Sequence, residues 1–387
     1  MRILVIPMFA LSRMDGPWSR AQKIATAFAG AGHDVMMGVA PDGNCRNPVA
    51  SNVLALPVPS PMGLPMVLAS KAFPVANRIG IAGRKPVNSF EEVLWITGAL
   101  SYGYEARSVE LLRRCIRDEH VDAVYSEFSL PAVIAAQAEG VPCVGTASYP
   151  TQASYACDPS KAKGVRRLLS ELALPDVVSS LELFRRMERR FVPSCPKLEP
   201  FEDEDVVFCG FLNEKAARPE TPRDARRGPI VIYMGTGSVA RPTISRIASE
   251  LAKRTDLHVY VAGMAGPPSE EGRLHMAGRF DFSELLPQSS VFVNHGGQNS
   301  IMDALACGVP QAIFPGKVFE RLFNAQSVEG AGAGVQIRRF NEPSLLESIH
   351  KVVHNETIAD RAAELRNEML ALGGASAVVA EVERLLS

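Results

Sequence analysis

The residues best equipped for chemistry lie in one stretch, Val291 to Asn324, which reads VFVNHGGQNSIMDALACGVPQAIFPGKVFERLFN. Val291-Phe-Val is a short β-prone run, His295-Gly-Gly-Gln-Asn-Ser is a turn able to open a helix, and Ile301 to Cys307 continues with helical spacing. Strand, glycine turn and helix together collect phosphate. Gly296 and Gly297 let the backbone approach a ligand, and the free N–H groups of the helix start point at the same spot with the positive dipole end behind them. His295, Asn299 and Ser300 add side-chain donors, and charge-assisted bonds of this kind contribute roughly 1.5–3 kcal/mol each. A glycine pair before a helix is also a plain connecting turn, so the residues that follow carry weight. Asp303 stands four positions after Asn299 on the same helical face, where a carboxylate can accept both hydroxyls of a ribose. Gly308-Val-Pro then ends the helix, Gln311-Ala-Ile-Phe-Pro reads as the next buried strand, and Glu320, Arg321 and Asn324 bring polar groups to the same sheet edge.

This pattern resembles the nucleotide-sugar signature of the GT-B glycosyltransferases, specifically the UDP-glycosyltransferase (family 1) group with its macrolide-type bacterial members. The resemblance is carried by His295-Gly-Gly-Gln-Asn-Ser-Ile-Met-Asp-Ala-Leu, Gly308-Val-Pro, Pro315 and Asn324-Ala, and it extends over about residues 205–340. It implies inverting, metal-independent transfer of a hexose from a UDP- or dTDP-sugar to a small, largely apolar acceptor such as a natural product or lipid. The nucleotide-sugar is then a co-substrate, and no cofactor is required. Carried across position by position, His295, Gly297, Asn299 and Ser300 would hold the diphosphate, Asp303 the ribose, and Glu320 with Arg321 the sugar hydroxyls. Most of the family has Asp-Gln where this chain has Glu320-Arg321, which leaves the sugar open. Gly235, Thr236, Gly237 and Ser238 follow the strand-like Pro229 to Tyr233 and resemble the first donor loop of the group. Phe282 is the candidate to stack on the base, with ordinary core packing as the competing role.

Elements able to position these residues are legible on both sides. The 387 residues, 47% hydrophobic, suffice for two domains with real cores. The resemblance implies two Rossmann-like, doubly wound α/β domains facing a central cleft. Residues 1–212 would bind the acceptor, 213–228 (NEKAARPETPRDARRG) form a charged linker, and 229–387 bind the nucleotide-sugar, with the C-terminal helix crossing back. Arg2-Ile-Leu-Val-Ile-Pro is read as an opening strand and not as a signal sequence, because a loop and an amphipathic helix ending at Gly32-His-Asp-Val follow it. Glu91 to Arg117 reads as one long helix, Asp122 to Glu127 as a parallel strand, and residues 161–190 as charged and helical. The charge is balanced at 41 basic against 42 acidic residues, so no nucleic-acid footprint is expected. Seven scattered cysteines without a Cys-x-x-Cys pair fit reduced thiols in the cytoplasm and argue against structural zinc. No apolar run reaches a membrane span, although the paired arginines at 166–167, 185–186 and 189–190 leave a peripheral membrane contact open. Nothing in the sequence indicates an oligomeric state.

The acceptor side is read more coarsely. Residues 57–90, rich in proline and apolar side chains, are expected to face the acceptor, with Trp95, Tyr102 and Tyr104 extending that wall and Tyr149 and Gln152 in a polar loop of the same crevice. The family usually places a basic histidine in the loop after the first strand, sixteen positions before the Gly-His-x-Val histidine; counting back from His33 reaches Pro17. The candidates for the base are therefore Glu127, at a strand's C-terminal end, and Asp15, unless the acceptor is acidic enough to need little help. Asp15 before Gly16-Pro17 is equally a turn former. Two other function classes stay in view, a nucleotide-sugar isomerase and a non-catalytic GT-B relative that binds a ligand or partner.

Overall fold

The computed structural model describes residues 1–11, 15–41, 45–61, 86–212, 228–235 and 239–387, without the side chain of Asp15. Two compact units form, one of Met1–Pro74, Asn88–Leu212 and Leu372–Ser387, the other of Val75–Val87 and Asn213–Ala371. Thr236, Gly237 and Ser238, residues 62–85 of the apolar stretch and nearly all of the charged linker lie outside the described residues.

In the first unit seven strands build one sheet: β1 (Arg2–Pro7), β2 (Asp34–Val39), β3 (Asn52–Ala55), β4 (Ala123–Glu127), β5 (Cys143–Thr146), β6 (Arg189–Val192) and β7 (Val206–Phe208). Their order is β3-β2-β1-β4-β5-β6-β7 with every pairing parallel. A parallel sheet is covered on both faces, which is why β1 runs Ile3-Leu-Val-Ile with all four side chains at 0% exposure. Helix α1 (Asp15–Gly30) lays Trp18, Ala21, Ile24, Ala25 and Phe28 on the sheet at helical spacing, and Val378, Val379 and Val382 of the C-terminal helix (Gly374–Leu386) join the same core. Each large aliphatic or aromatic side chain so buried contributes about 1.5–3 kcal/mol.

Where the sequence reads one helix from Glu91 to Arg117, the structure has two, α2 (Phe90–Thr97) and α3 (Tyr102–Asp118). The break is Gly98, at φ 84, where an added Cβ would run into the carbonyl of Ser60. Helix α4 (Leu130–Glu139) follows β4, and α5 (Lys163–Glu171) is the one α-helix among the described residues of the stretch 161–190. Arg189 and Arg190, expected on a helix, lie in β6. Arg190 is only 2% exposed and binds Asp205 at 2.5 Å. The neighbouring arginines are also engaged: Arg166 with Asp176, Arg167 with Glu171, Arg185 with Asp203 and Arg189 with Glu381. No described helix is long and apolar enough to cross a membrane, and all seven cysteines are free thiols.

The second unit repeats the plan with β8 (Ile230–Tyr233), β9 (Val259–Ala262), β10 (Ser269–Glu271), β11 (Leu274–Met276), β12 (Val291–Asn294), β13 (Gln311–Ile313) and β14 (Gly334–Gln336). The order is β10-β11-β9-β8-β12-β13-β14, parallel except for the β10–β11 hairpin, which the sequence reading did not contain. Helices α6 (Arg241–Arg254), α7 (Phe282–Leu285), α8 (Gln298–Ala306), α9 (Phe319–Gly330), α10 (Glu342–Val353) and α11 (Glu356–Leu370) complete it. In both sheets the strand order reverses beside the first strand, at β1/β4 and at β8/β12. Doubly wound sheets collect ligands outside the carboxyl ends of their strands at such switch points.

Candidate functional site

At the β8/β12 switch point two loops converge. Gly235 follows β8 and His295 follows β12, and the imidazole sits between glycines: a Cβ added at Gly235 would lie 2.9 Å from Cε1 of His295, and one at Gly297 2.6 Å from Nε2. Gly297 is the N-cap of α8, so the first N–H groups of that helix open directly beside the imidazole. Gly296 holds φ 81, and a Cβ there would meet the carbonyl oxygen of Arg321 at 2.9 Å. Two buried amides build this turn. Asn294 Oδ1 accepts the Gly296 N–H at 2.8 Å, while its Nδ2 donates to Gln311 Oε1 at 2.8 Å. Asn324 Nδ2 donates to the Gly296 carbonyl at 2.9 Å. Asn324, expected among the donor contacts, therefore shapes the turn through its backbone. Asn294 is a positioning residue missed in the sequence, although an Asn immediately before His-Gly-Gly is the signal of an Asx turn. The lead-in to α9 is pinned as well: Val87 donates its N–H to Lys317 O at 3.2 Å and accepts that of Phe319 at 3.0 Å.

The electrostatics of the turn differ from the simple expectation. Burial first, and the nearby positive charge of Arg321 second, push the His295 imidazole down to about 3, against a bond to the Tyr233 backbone that works the other way. His295 is neutral at physiological pH. Its Nδ1 is buried with no hydrogen-bond partner, which leaves an unspent polar atom on the ring whose Nε2 adjoins Gly297. Arg321 is half-buried, and burial pulls its guanidinium below the ordinary arginine range while Glu320 and Tyr233 act to raise it. Ser300 is buried at 8% exposure; Asn299 and Asp303 are half-buried on the first turns of α8. Phe282 is half-buried with its ring edge-on to Tyr233 at 5.7 Å and to Phe292 at 5.6 Å.

The β1/β4 switch point of the first unit is built from a closed network. Glu127 pairs with Pro7 across the strands and is 0% exposed; its Oε1 lies 2.6 Å from Nε of Arg20 on α1, and Oε2 accepts the hydroxyl of Thr146. Tyr125 Oη is 2.8 Å from the same Thr146 Oγ1. Burial pushes Glu127 above the usual carboxylate range, with Arg20 and Thr146 opposing it. The next residue, Phe128, adopts φ 60, a left-handed conformation that costs a bulky side chain energy. Its ring packs on Phe90 at 5.3 Å and Phe184 at 6.1 Å, with Arg20 at 5.6 Å over its face. Phe128 and Thr146 line a small cavity with Thr151, Gln152, Leu181, Phe184 and Arg190. Gln152 is held there by Arg190 Nη1 at 3.2 Å.

Comparison with known proteins then settles the architecture. The glycotransferase of kitacinnamycin matches over 100% of this chain and 99% of its own, at a TM-score of 0.74 and 19% identity. A spinosyn rhamnosyltransferase complexed with thymidine diphosphate matches over 99% and 100%, at a TM-score of 0.71 and 15% identity. The chain has the GT-B fold. Residues 271–385 match the family model of the erythromycin biosynthesis protein CIII-like, C-terminal domain, and the NDP-glycosyltransferase YjiC of Bacillus subtilis (strain 168) is 30% identical over 105 residues, 27% of this chain and 26% of that protein. These matches agree with the UDP-glycosyltransferase resemblance read from residues 291–324. The chain spans from 24% to 49% of the length of the first curated relatives it matches.

Within this GT-B chain the structure gathers Gly235, His295, Gly296, Gly297, Asn299, Ser300, Asp303 and Arg321 at one sheet edge of the second unit, with Glu320 beside Arg321. Glu127 as a free base is corrected, because both of its oxygens are engaged and no part of it is exposed. Of the acceptor candidates, Tyr149 and Gln152 share one turn, in which the Gln152 N–H donates to the Tyr149 carbonyl at 3.3 Å. Gln152 lines the cavity, whereas Trp95 is 40% exposed under Lys161, and Tyr149 packs edge-on against Tyr155 and Phe201. Tyr102 bonds Glu171 through its hydroxyl at 2.6 Å, and Asp15 is placed only as the first residue of α1. Among the described residues no group of three or more His, Cys, Asp and Glu is arranged to hold a metal.

Proposed function

We propose that the chain is an inverting glycosyltransferase that moves a hexose from a UDP- or dTDP-sugar to a hydroxyl of a small, largely apolar acceptor, without a metal ion or cofactor. The observation that supports this reading best is the β12–α8 turn, where the start of a helix opens beside the imidazole of His295. In this reading the acceptor oxygen attacks the anomeric carbon from the side opposite the diphosphate. The anomeric C–O bond breaks, the diphosphate leaves with its electron pair, and the acceptor proton goes to a carboxylate or has already been lost from an acidic acceptor. The α8 N-terminus with Asn299 and Ser300 receives the charge that develops on the leaving group, Asp303 takes the ribose, Glu320 the sugar hydroxyls, and Phe282 the base. Asp15 remains the candidate base. Glu127, bound to Arg20, orients α1 from the buried side. Solved forms of the spinosyn rhamnosyltransferase hold thymidine diphosphate and, separately, a spinosyn aglycone, the two ligand classes that this reading requires.

The test is incubation of the protein with radiolabelled UDP-glucose and dTDP-glucose and no acceptor. Slow release of free sugar is the expected result. An epimerised donor would replace the reading with an isomerase, and binding without turnover would replace it with a non-catalytic relative.

A further inference from the structure

We infer that Arg321 is the fixed positive charge of the donor site and lies against the diphosphate, so that it sets the preference of the site for a nucleoside diphosphate over the corresponding monophosphate. This rests on the reading of the β12–α8 turn as a nucleotide-sugar site and departs from the family pattern, which would point this residue at the sugar. The first ground is position. Arg321 is in the first turn of α9, and a Cβ built on Gly296 would sit 2.9 Å from its carbonyl oxygen and 3.2 Å from its Cβ. Asn324, three residues on, clamps the Gly296 carbonyl at 2.9 Å. The root of the arginine side chain is thereby locked next to the turn that precedes the α8 N-cap.

The second ground is charge. The dianionic diphosphate of a nucleotide-sugar needs positive charge, and a helix start supplies about half of one. His295 cannot supply the rest, because burial and Arg321 itself keep the imidazole neutral. It offers hydrogen-bonding atoms only, including the buried, unpartnered Nδ1. Arg321 is the half-buried cation whose field acts on that imidazole, while Lys317 of the preceding loop is exposed. The third ground is chemistry. A guanidinium donates and never accepts, and its planar fork matches two phosphate oxygens better than the mixed donors and acceptors of sugar hydroxyls. Glu320, an acceptor, is left to the sugar hydroxyls.

Calorimetric titration of the full chain with UDP, UMP, dTDP and dTMP tests this, comparing the parent with Arg321→Gln, Arg321→Lys and Lys317→Gln. In Arg321→Gln, affinity for the nucleoside diphosphate that the parent binds should fall at least about tenfold, with the monophosphate changed less than about threefold. Lys317→Gln should leave both as they were. Should Arg321→Gln fold poorly in a thermal melt, Arg321→Lys decides. Losing the fork while keeping the charge should weaken the diphosphate several-fold and spare the monophosphate; equal effects on both overturn the assignment. An unchanged diphosphate-to-monophosphate ratio in Arg321→Gln, with an altered ranking of UDP-glucose against UDP-galactose, would return Arg321 to the sugar. A parent that binds none of the four nucleotides removes the nucleotide-sugar reading itself, a result that the parent gives without any variant.

Discussion

The two switch points of this chain are built alike and finished differently. At β1/β4 the carboxylate of Glu127 meets Arg20 and Thr146, and Thr146 in turn meets Tyr125. At β8/β12 a half-buried imidazole keeps its buried Nδ1 unpartnered, and the nearby guanidinium is pulled below its ordinary range by burial. A closed polar network has spent its hydrogen-bonding capacity on the fold, whereas an open one holds that capacity for a ligand at a standing cost to stability. Topology alone would have ranked the two edges equal. The engaged carboxylate of the first edge and the one unpartnered nitrogen of the second separate them, and that nitrogen marks the edge to which the proposed donor site is assigned.

The contrast breaks most directly at Arg20. Replacing it by Met leaves Glu127 buried and unpaired, a loss of about 3–5 kcal/mol in the unfolding free energy of the first unit. Adding Glu127→Leu should recover most of it, since a matched apolar pair carries no such penalty. Denaturant unfolding followed by circular dichroism reads both. A single-variant loss below about 1 kcal/mol would mean that the first edge is as open as the second.

A smaller and sharper test is pH. The folded His295 is depressed to about 3 from an ordinary value near 6.5, so its contribution to stability is present above about 6.5 and is lost as pH falls from there toward 3. Between pH 6.5 and 5.5 that is at most about 1.4 kcal/mol in the ligand-free chain, and His295→Gln should remove that part of the slope. Glu105 of α3 supplies the opposite sign. It is fully buried, neither oxygen has a partner, and burial raises it well above the usual carboxylate range. Stability associated with it is present below about 4.5 and is lost as pH rises through its raised folded value. Glu105→Met should therefore stabilise the chain by about 1–3 kcal/mol at pH 7 and by little at pH 4. Identical acid profiles for parent and His295→Gln would show the imidazole to be solvated and the second edge to be ordinary surface.

How much of this was legible in the sequence follows the range over which each feature is decided. The β12 strand, the glycine turn and α8 are local, so Val291-Phe-Val, Gly296-Gly297 and Ile301 to Cys307 announce them. The break at Gly98 carries a local signal, a glycine able to take the left-handed C-cap, which the reading of one continuous helix passes over; the close approach of the Ser60 carbonyl, which requires a glycine there, was not legible. Arg190 reads as one of a pair of solvated arginines because its partner Asp205 lies fifteen positions away on a neighbouring segment. Arg20 sits inside an unremarkable helical pattern, and only the parallel pairing of β1 with β4 brings Glu127 to it. The missing first-loop histidine was visible at once; that the expected carboxylate was already bound to an arginine was not.

The smallest effect compares two aromatics that each lie under a cation. Arg20 covers Phe128 at 5.6 Å inside the closed edge, where the ring is 7% exposed and packed between two other phenylalanines. Lys161 covers Trp95 at 3.8 Å on a surface where the indole is 40% exposed. The shorter distance belongs to the weaker site, because water screens an exposed cation–π contact to about 0.5–1 kcal/mol. Trp95 was expected to wall the acceptor, yet it does not line the cavity that holds Gln152. Trp95→Ala should accordingly cost less than about 1 kcal/mol in denaturant unfolding and leave the acceptor-free release of sugar from UDP-glucose or dTDP-glucose unchanged. A loss well beyond that would show the indole to be part of the packed interior, and would extend the closed edge from β4 out across α2.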